Sequence, residues 1–147
     1  MGSYSIIVMP NATLKGFSKL RIVHLFQAAG MIGLGLIVIL SLVPGNYRPH
    51  TGAHGGTEHL IAYALTAFSL GCVWSSPGQR IAIIVGLFIL AGSLEVMQLW
   101  VPGRNAEVMG TAISGLGGAF GVALAAIATI IAHSRLGRSA QTTKPPS

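Results

Sequence analysis

The residues of this chain that could do chemistry are few, and they fall close together. The acidic residues are Glu58, Glu95 and Glu107, three in all. Near them in sequence stand His50, His54, His59, Tyr63, Gln98, Arg104 and Asn105. His59 and Tyr63 are four residues apart and Glu95 and Gln98 three apart, so on helices each pair shares a face. Arg104 is the natural ionic partner of Glu95, and Glu58 is a second candidate for the same guanidinium. Such a set suits recognition: a charged pair that meets an ionic group, with imidazole, phenol and amide groups adding hydrogen bonds. It equally suits a structural clamp that ties helix ends together.

Other chemistries are missing from the pattern. No Cys/His cluster has zinc spacing, and Cys72, the one cysteine, reads as a small packing residue. His50, His54 and His59 are close, but loop histidines at this spacing are more often unliganded, so no metal and no cofactor is expected. There is no G-x-S-x-G nucleophile motif and no G-x-x-x-x-G-K phosphate loop. Net charge is +6, yet the basic residues are too scattered for a phosphate-binding stripe, and nucleic acid is not an expected partner.

What positions the polar residues is a set of long apolar blocks. Hydrophobic residues make up 52% of the chain and charged residues 8%, against about 25% charged in a soluble domain. The blocks run from about 22 to 43, 58 to 75, 81 to 101 and 108 to 132. Three of them comfortably reach the roughly 20 apolar residues a membrane span needs, and the second is the shortest. The expected fold class is therefore all-α: a polytopic membrane protein, a bundle of four transmembrane helices. The first block exceeds the apolar core of a cleaved signal peptide, and Pro44-Gly45-Asn46-Tyr47 after it lacks an A-x-A site. Residues 1–21 are expected as an N-terminal segment, Thr57 as the N-cap of the second helix, and Ser76 to Arg80 as a tight turn. Residues 133–147 are expected to be a disordered tail.

Counting Lys and Arg in the flanks gives an orientation. Lys15, Lys19, Arg21, Arg80, Arg135, Arg138 and Lys144 fall on one side of four spans, and Arg48 and Arg104 on the other. Positive charge marks the cytoplasmic side, so both termini are expected in the cytoplasm and the protein in a bacterial inner membrane. All three acidic residues then lie at or near the outer face. Glu95, six residues before the end of its block, is roughly 9 Å deep at about 1.5 Å per residue. A carboxylate there costs less than at mid-membrane, and is tolerated where it faces protein, water or a partner. The fourth block carries a second pattern. Gly110, Ser114 and Gly118 are four apart, as are Gly117, Gly121 and Ala125. Small residues at this spacing let helices approach closely, inside the bundle first and between copies of a homo-oligomer second.

Two stretches together resemble the VanZ-like family of membrane proteins, whose founding member is associated with teicoplanin resistance. One is Glu58-His59-Leu60-Ile61-Ala62-Tyr63. The other is Glu95-Val96-Met97-Gln98 followed by Val101-Pro102-Gly103-Arg104. The resemblance covers about Gly55 to Gly121. It carries over His59, Tyr63, Glu95, Gln98, Pro102, Gly103, Arg104 and Gly117, and implies a small multi-span helical fold. The chain departs from the pattern where Gly55-Gly56 stand in place of Asp-Lys, Gly110 in place of Asp and Ser114 in place of Asn. The biochemical activity of the family is poorly defined, so the resemblance supplies no mechanism.

The leading functional expectation is a non-enzymatic envelope protein. Its outer site, made of Glu58, His59, Tyr63, Glu95, Gln98 and Arg104, would hold a lipid headgroup, a cell-wall precursor or a glycopeptide antibiotic. One alternative is an intramembrane enzyme on a lipid-linked substrate, with Glu95 or His59 as acid or base; Gly110 in place of Asp counts against it. The other is a structural or assembly subunit using the small-residue face of the fourth helix.

Overall fold

Four helices make up the computed structural model, which describes residues 11–44, 47, 55–103 and 108–141. They are α1 (Asn11–Leu42), α2 (Gly55–Val73), α3 (Pro77–Gln98) and α4 (Val108–Gln141). Three segments are long and apolar enough to cross a membrane: Leu20–Leu42 in α1, Pro77–Gln98 in α3 and Met109–Arg135 in α4. Their surfaces are apolar on the outside too. Leu25, Ile32, Ile39, Ile89, Leu116, Phe120 and Ile130 are all exposed. An exposed apolar surface of this extent marks a chain whose solvent is lipid. Ser69 and Ser93 donate their hydroxyls to the carbonyls of Leu65 and Ile89, one turn back, at 2.9 and 2.8 Å. That is how an isolated hydroxyl is satisfied where water is scarce.

Local signals explain several boundaries. α3 begins earlier than its apolar block, because Ser76 caps it. The Ser76 hydroxyl accepts from the Gln79 backbone N–H, the Gln79 side chain accepts from the Ser76 backbone N–H, and Pro77 opens the helix. This reciprocal box turns the expected tight turn at 76–80 into the first turn of a helix. At the other end α3 stops at Gln98, short of the expected end at 101; the Leu99, Trp100 and Val101 N–H groups bond the Val96, Met97 and Gln98 carbonyls in tighter turns, and Pro102 and the left-handed Gly103 (φ 74°) follow. α2 starts at Gly55, so Thr57 lies inside its first turn instead of capping it; Glu58 stands in that turn, where its charge suits the helix dipole. α1 starts at Asn11, well before the apolar block. α4 runs on to Gln141, so the segment expected to be disordered from His133 is helical over that stretch. No proline interrupts either extension, and a helix already nucleated propagates readily.

Residue pairs give the layout. Gly30 faces Leu70 and Gly33 faces Thr66, so α1 and α2 are antiparallel. Gly117 faces Leu60, Gly121 faces Ala64 and Ala125 faces Gly71, so α2 and α4 run parallel, in intimate contact. Gly115 faces Phe88 and Arg80 bonds Thr129, so α3 and α4 are antiparallel. α1 and α4 are the one pair that does not meet among the described residues. The core between the helices is built from Ile37, Tyr63, Ala67, Leu87, Ala91, Leu94 and Val122. The edge-on contact of Phe26 with Phe68, centroids 5.9 Å apart, ties α1 to α2 farther along.

Candidate functional site

The end of the bundle where α1 and α3 finish and α2 and α4 begin holds Glu58, His59, Tyr63, Glu95, Gln98 and Ser114. Their burial divides them. Tyr63, Ser114 and Gln98 are 1%, 2% and 4% exposed. Glu58, His59 and Glu95 are half-buried, with part of each surface open.

The buried members are paired across helices. The Tyr63 side chain on α2 is hydrogen-bonded to Ser114 on α4, and Glu95 on α3 lies near enough for its charge to act on the phenol. The Gln98 amide donates from Nε2 to the Ser41 carbonyl on α1 at 3.0 Å. At this end one bond ties α2 to α4 and the other ties α3 to α1. A buried polar group needs such a partner, and in lipid the alternative is costlier than in water. Tyr63, Ser114 and Gln98 therefore act as the clamp, and a ligand reaches none of them without opening the bundle.

The half-buried members are placed by the clamp. His59 sits one turn before Tyr63, its ring tilted 48° to the phenol with centroids 6.4 Å apart. Glu95 takes its position from a missing side chain. A Cβ at Gly110 would collide with the Glu95 carboxylate, so the absent methyl lets the acid lie against α4. Gly110 belongs to the first turn of α4, which starts at Val108. Unpaired N–H groups and the positive end of the helix dipole favour a carboxylate there. A half-buried carboxylate can accept hydrogen bonds from a polar or cationic group.

The other predicted residues fall as follows. Arg104 and Glu107, and with them the expected Glu95–Arg104 pair, lie outside the described residues, as do Arg48, His50, His54 and Asn105. Among the described residues no three His, Cys, Asp or Glu side chains gather. The two small-residue stripes of α4 serve two neighbours. Gly117 and Gly121 lie on the α2 backbone, Ser114 reaches Tyr63, and Gly110 and Gly118 face Glu95 and Leu87 of α3. Gly117 and Gly121 are covered by α2 and are not open to a second copy.

The structure adds one polar contact that the sequence pattern did not single out. At the opposite end, Arg80 donates from Nη2 to the Thr129 hydroxyl at 2.8 Å, and Thr129 donates on to the Ala126 carbonyl. Arg80 Nε is buried and has no hydrogen-bond partner among the described residues. The positions differ by 49 residues, and only helix packing brings them together. No family model matches the chain, and neither a curated protein nor a solved structure does.

Proposed function

We propose that this chain is a four-span membrane protein of the bacterial envelope that holds the polar headgroup of an amphiphile at its outer end. The single observation that carries the reading is Glu95. It is half-buried, set against the first turn of α4 through the space left by Gly110, and backed by the Tyr63–Ser114 bond. His59 and Glu58, also half-buried, complete the open rim, and Arg104 follows Glu95 closely in sequence. The clamp residues keep the acid in place, and the rim residues meet the ligand.

A fourth crossing by α2 is supported by its length and its neighbour. Its 19 residues span roughly 28 Å at about 1.5 Å per residue, near the roughly 30 Å hydrocarbon core. It lies alongside α4, itself long and apolar enough to cross, from Gly56 beside Ile113 to Gly71 beside Ala125. Four crossings put both termini on the side of Arg21, Arg80 and Arg135, the cytoplasmic side by the distribution of positive charge.

The VanZ-like resemblance narrows the amphiphile to a lipid headgroup, a cell-wall precursor or a glycopeptide. The test has two parts. Teicoplanin susceptibility is measured with and without the gene, and again with Glu95→Gln and His59→Ala. Loss of protection in the deletion and in both variants, with the proteins still inserted, is the expected result. An unchanged response in the deletion removes the antibiotic. Full activity of Glu95→Gln removes the carboxylate as the contact.

A further inference from the structure

The end of the bundle opposite the acidic rim holds a cation unlike its neighbours. The apolar segments of α1 and α3 start there and that of α4 finishes there, so Arg21, Arg80 and Arg135 share that end. Arg21 and Arg135 are exposed, whereas Arg80 is half-buried. Its guanidinium reaches from α3 to Thr129 on α4, and lies near enough to Cys72 on α2 for its charge to act on the thiol. A guanidinium has five N–H donors. One goes to the Thr129 hydroxyl at 2.8 Å, and the buried Nε–H has no hydrogen-bond partner among the described residues. Thr129 is itself fixed by its bond to the Ala126 carbonyl. The charge is therefore pinned between helices instead of extended into water.

No carboxylate among the described residues is within reach to balance it. Glu95 is fifteen residues along the same helix, roughly 22 Å away at about 1.5 Å per residue. Glu58 stands in the first turn of α2, and it is the last turn of α2 that approaches Arg80. The local backbone does not balance the charge either. Arg80 belongs to the start of α3, where the helix dipole is positive and a cation is disfavoured. The same dipole attracts an anion. In that turn Pro77 has no N–H, and the Gln79 and Arg80 N–H groups go to Ser76. Gly78 is exposed, and nothing lies within 4 Å of a Cβ built there, so an anion can approach this end of the helix.

We propose that Arg80 takes the phosphate of an anionic phospholipid from the leaflet at this end. It is independent of the reading of Glu95: only the crossing of α3 and α4 is required, and both are long and apolar enough. Depth selects a lipid phosphate over other anions. Arg80 is three residues from the start of α3, roughly 5 Å along it. Trp74 stands in the turn that joins α2 to α3, and tryptophan at the end of a span sits at headgroup level. Cationic pockets between helices at that level hold anionic headgroups, and the guanidinium fork matches the oxygens of a phosphate.

The test titrates the full chain, purified in detergent, with phosphatidylglycerol and with phosphatidylcholine of the same acyl chains, and counts bound lipid by native mass spectrometry. Phosphatidylglycerol should bind about tenfold more tightly, about 1.4 kcal/mol, because choline already balances its own phosphate. Arg80→Gln should abolish that preference with helical circular dichroism retained, and Arg21→Gln should leave it. Equal affinity of the parent chain for the two lipids overturns the proposal without any variant. An equal loss in Arg80→Gln and Arg21→Gln also overturns it, since the lipid would then answer to overall charge. Release of phosphatidylglycerol by millimolar inorganic phosphate gives the site to a free anion and overturns the lipid assignment. Glu95→Gln should keep the preference in full, so this site and the headgroup contact at the rim fail separately.

Discussion

α4 packs on α2 and on α3 in different ways. Toward α2 it presents Gly117 and Gly121, and what lies over them is backbone. A Cβ at Gly117 would stand 2.5 Å from the Leu60 carbonyl oxygen, and one at Gly121 would meet the Ala64 carbonyl and the Phe68 amide. Toward α3 it presents Gly110, Gly115 and Gly118, and what lies over them is side chain: Glu95, Phe88 and Leu87. The first seam has no slack, because neither helix can yield without moving as a whole. The second contains side chains that can rotate, among them a half-buried acid and an exposed phenyl ring. Tight backbone contact stabilises the bundle through dispersion and weak Cα–H···O contacts. Side-chain contact leaves room for adjustment. One helix thus separates a rigid seam from an adjustable one by the face on which each glycine falls.

Glycine substitutions are the direct way to break or sharpen this contrast. Gly121→Val should have the largest effect, separating α2 from α4 at a cost of about 3 kcal/mol or more. Thermal unfolding in detergent should show it as a large fall in midpoint or as loss of a folded monomer. If Gly121→Val unfolds like the parent chain, the two seams do not differ. Gly110→Ala should be smaller and of another kind. The obstacle is the far end of a flexible side chain, so Glu95 should swing away and the fold persist. Headgroup binding, measured by retention of a labelled lipid through purification, should then fall while unfolding changes little. A matching fall in stability would mean that Glu95 is part of the clamp. Gly86→Ala should have the smallest effect. Nothing lies within 4 Å of a Cβ there. The gain in helix propensity is up to about 1 kcal/mol, so a slightly raised midpoint is expected.

The candidate site was partly legible in the sequence. Spacing placed His59 with Tyr63 and Glu95 with Gln98, because helical periodicity is a local property. It could not separate Tyr63 and Gln98, which are buried and paired, from His59 and Glu95, which keep an open side. That division depends on Ser114 and on the Ser41 carbonyl, which arrive from other helices. Gly110 was legible as a small residue in a stripe, but its use as the recess for Glu95 was not. The capping box at Ser76 and Gln79 was available in the sequence, and the proline-glycine pair between them masked it as a turn.

The chain by itself determined that there would be long apolar helices suited to lipid, with Glu58 and Glu95 near one end of them and Arg21, Arg80 and Arg135 near the other. Those properties follow from composition and from periodicity within each segment. The tertiary structure decided which face of α4 meets α2 and which meets α3. It also decided which polar groups are shut into the clamp, and that Glu95 lies in the space left by Gly110. Contacts between residues tens of positions apart depend on how helices of similar composition are rotated and offset against each other. Local pattern carries no record of that choice.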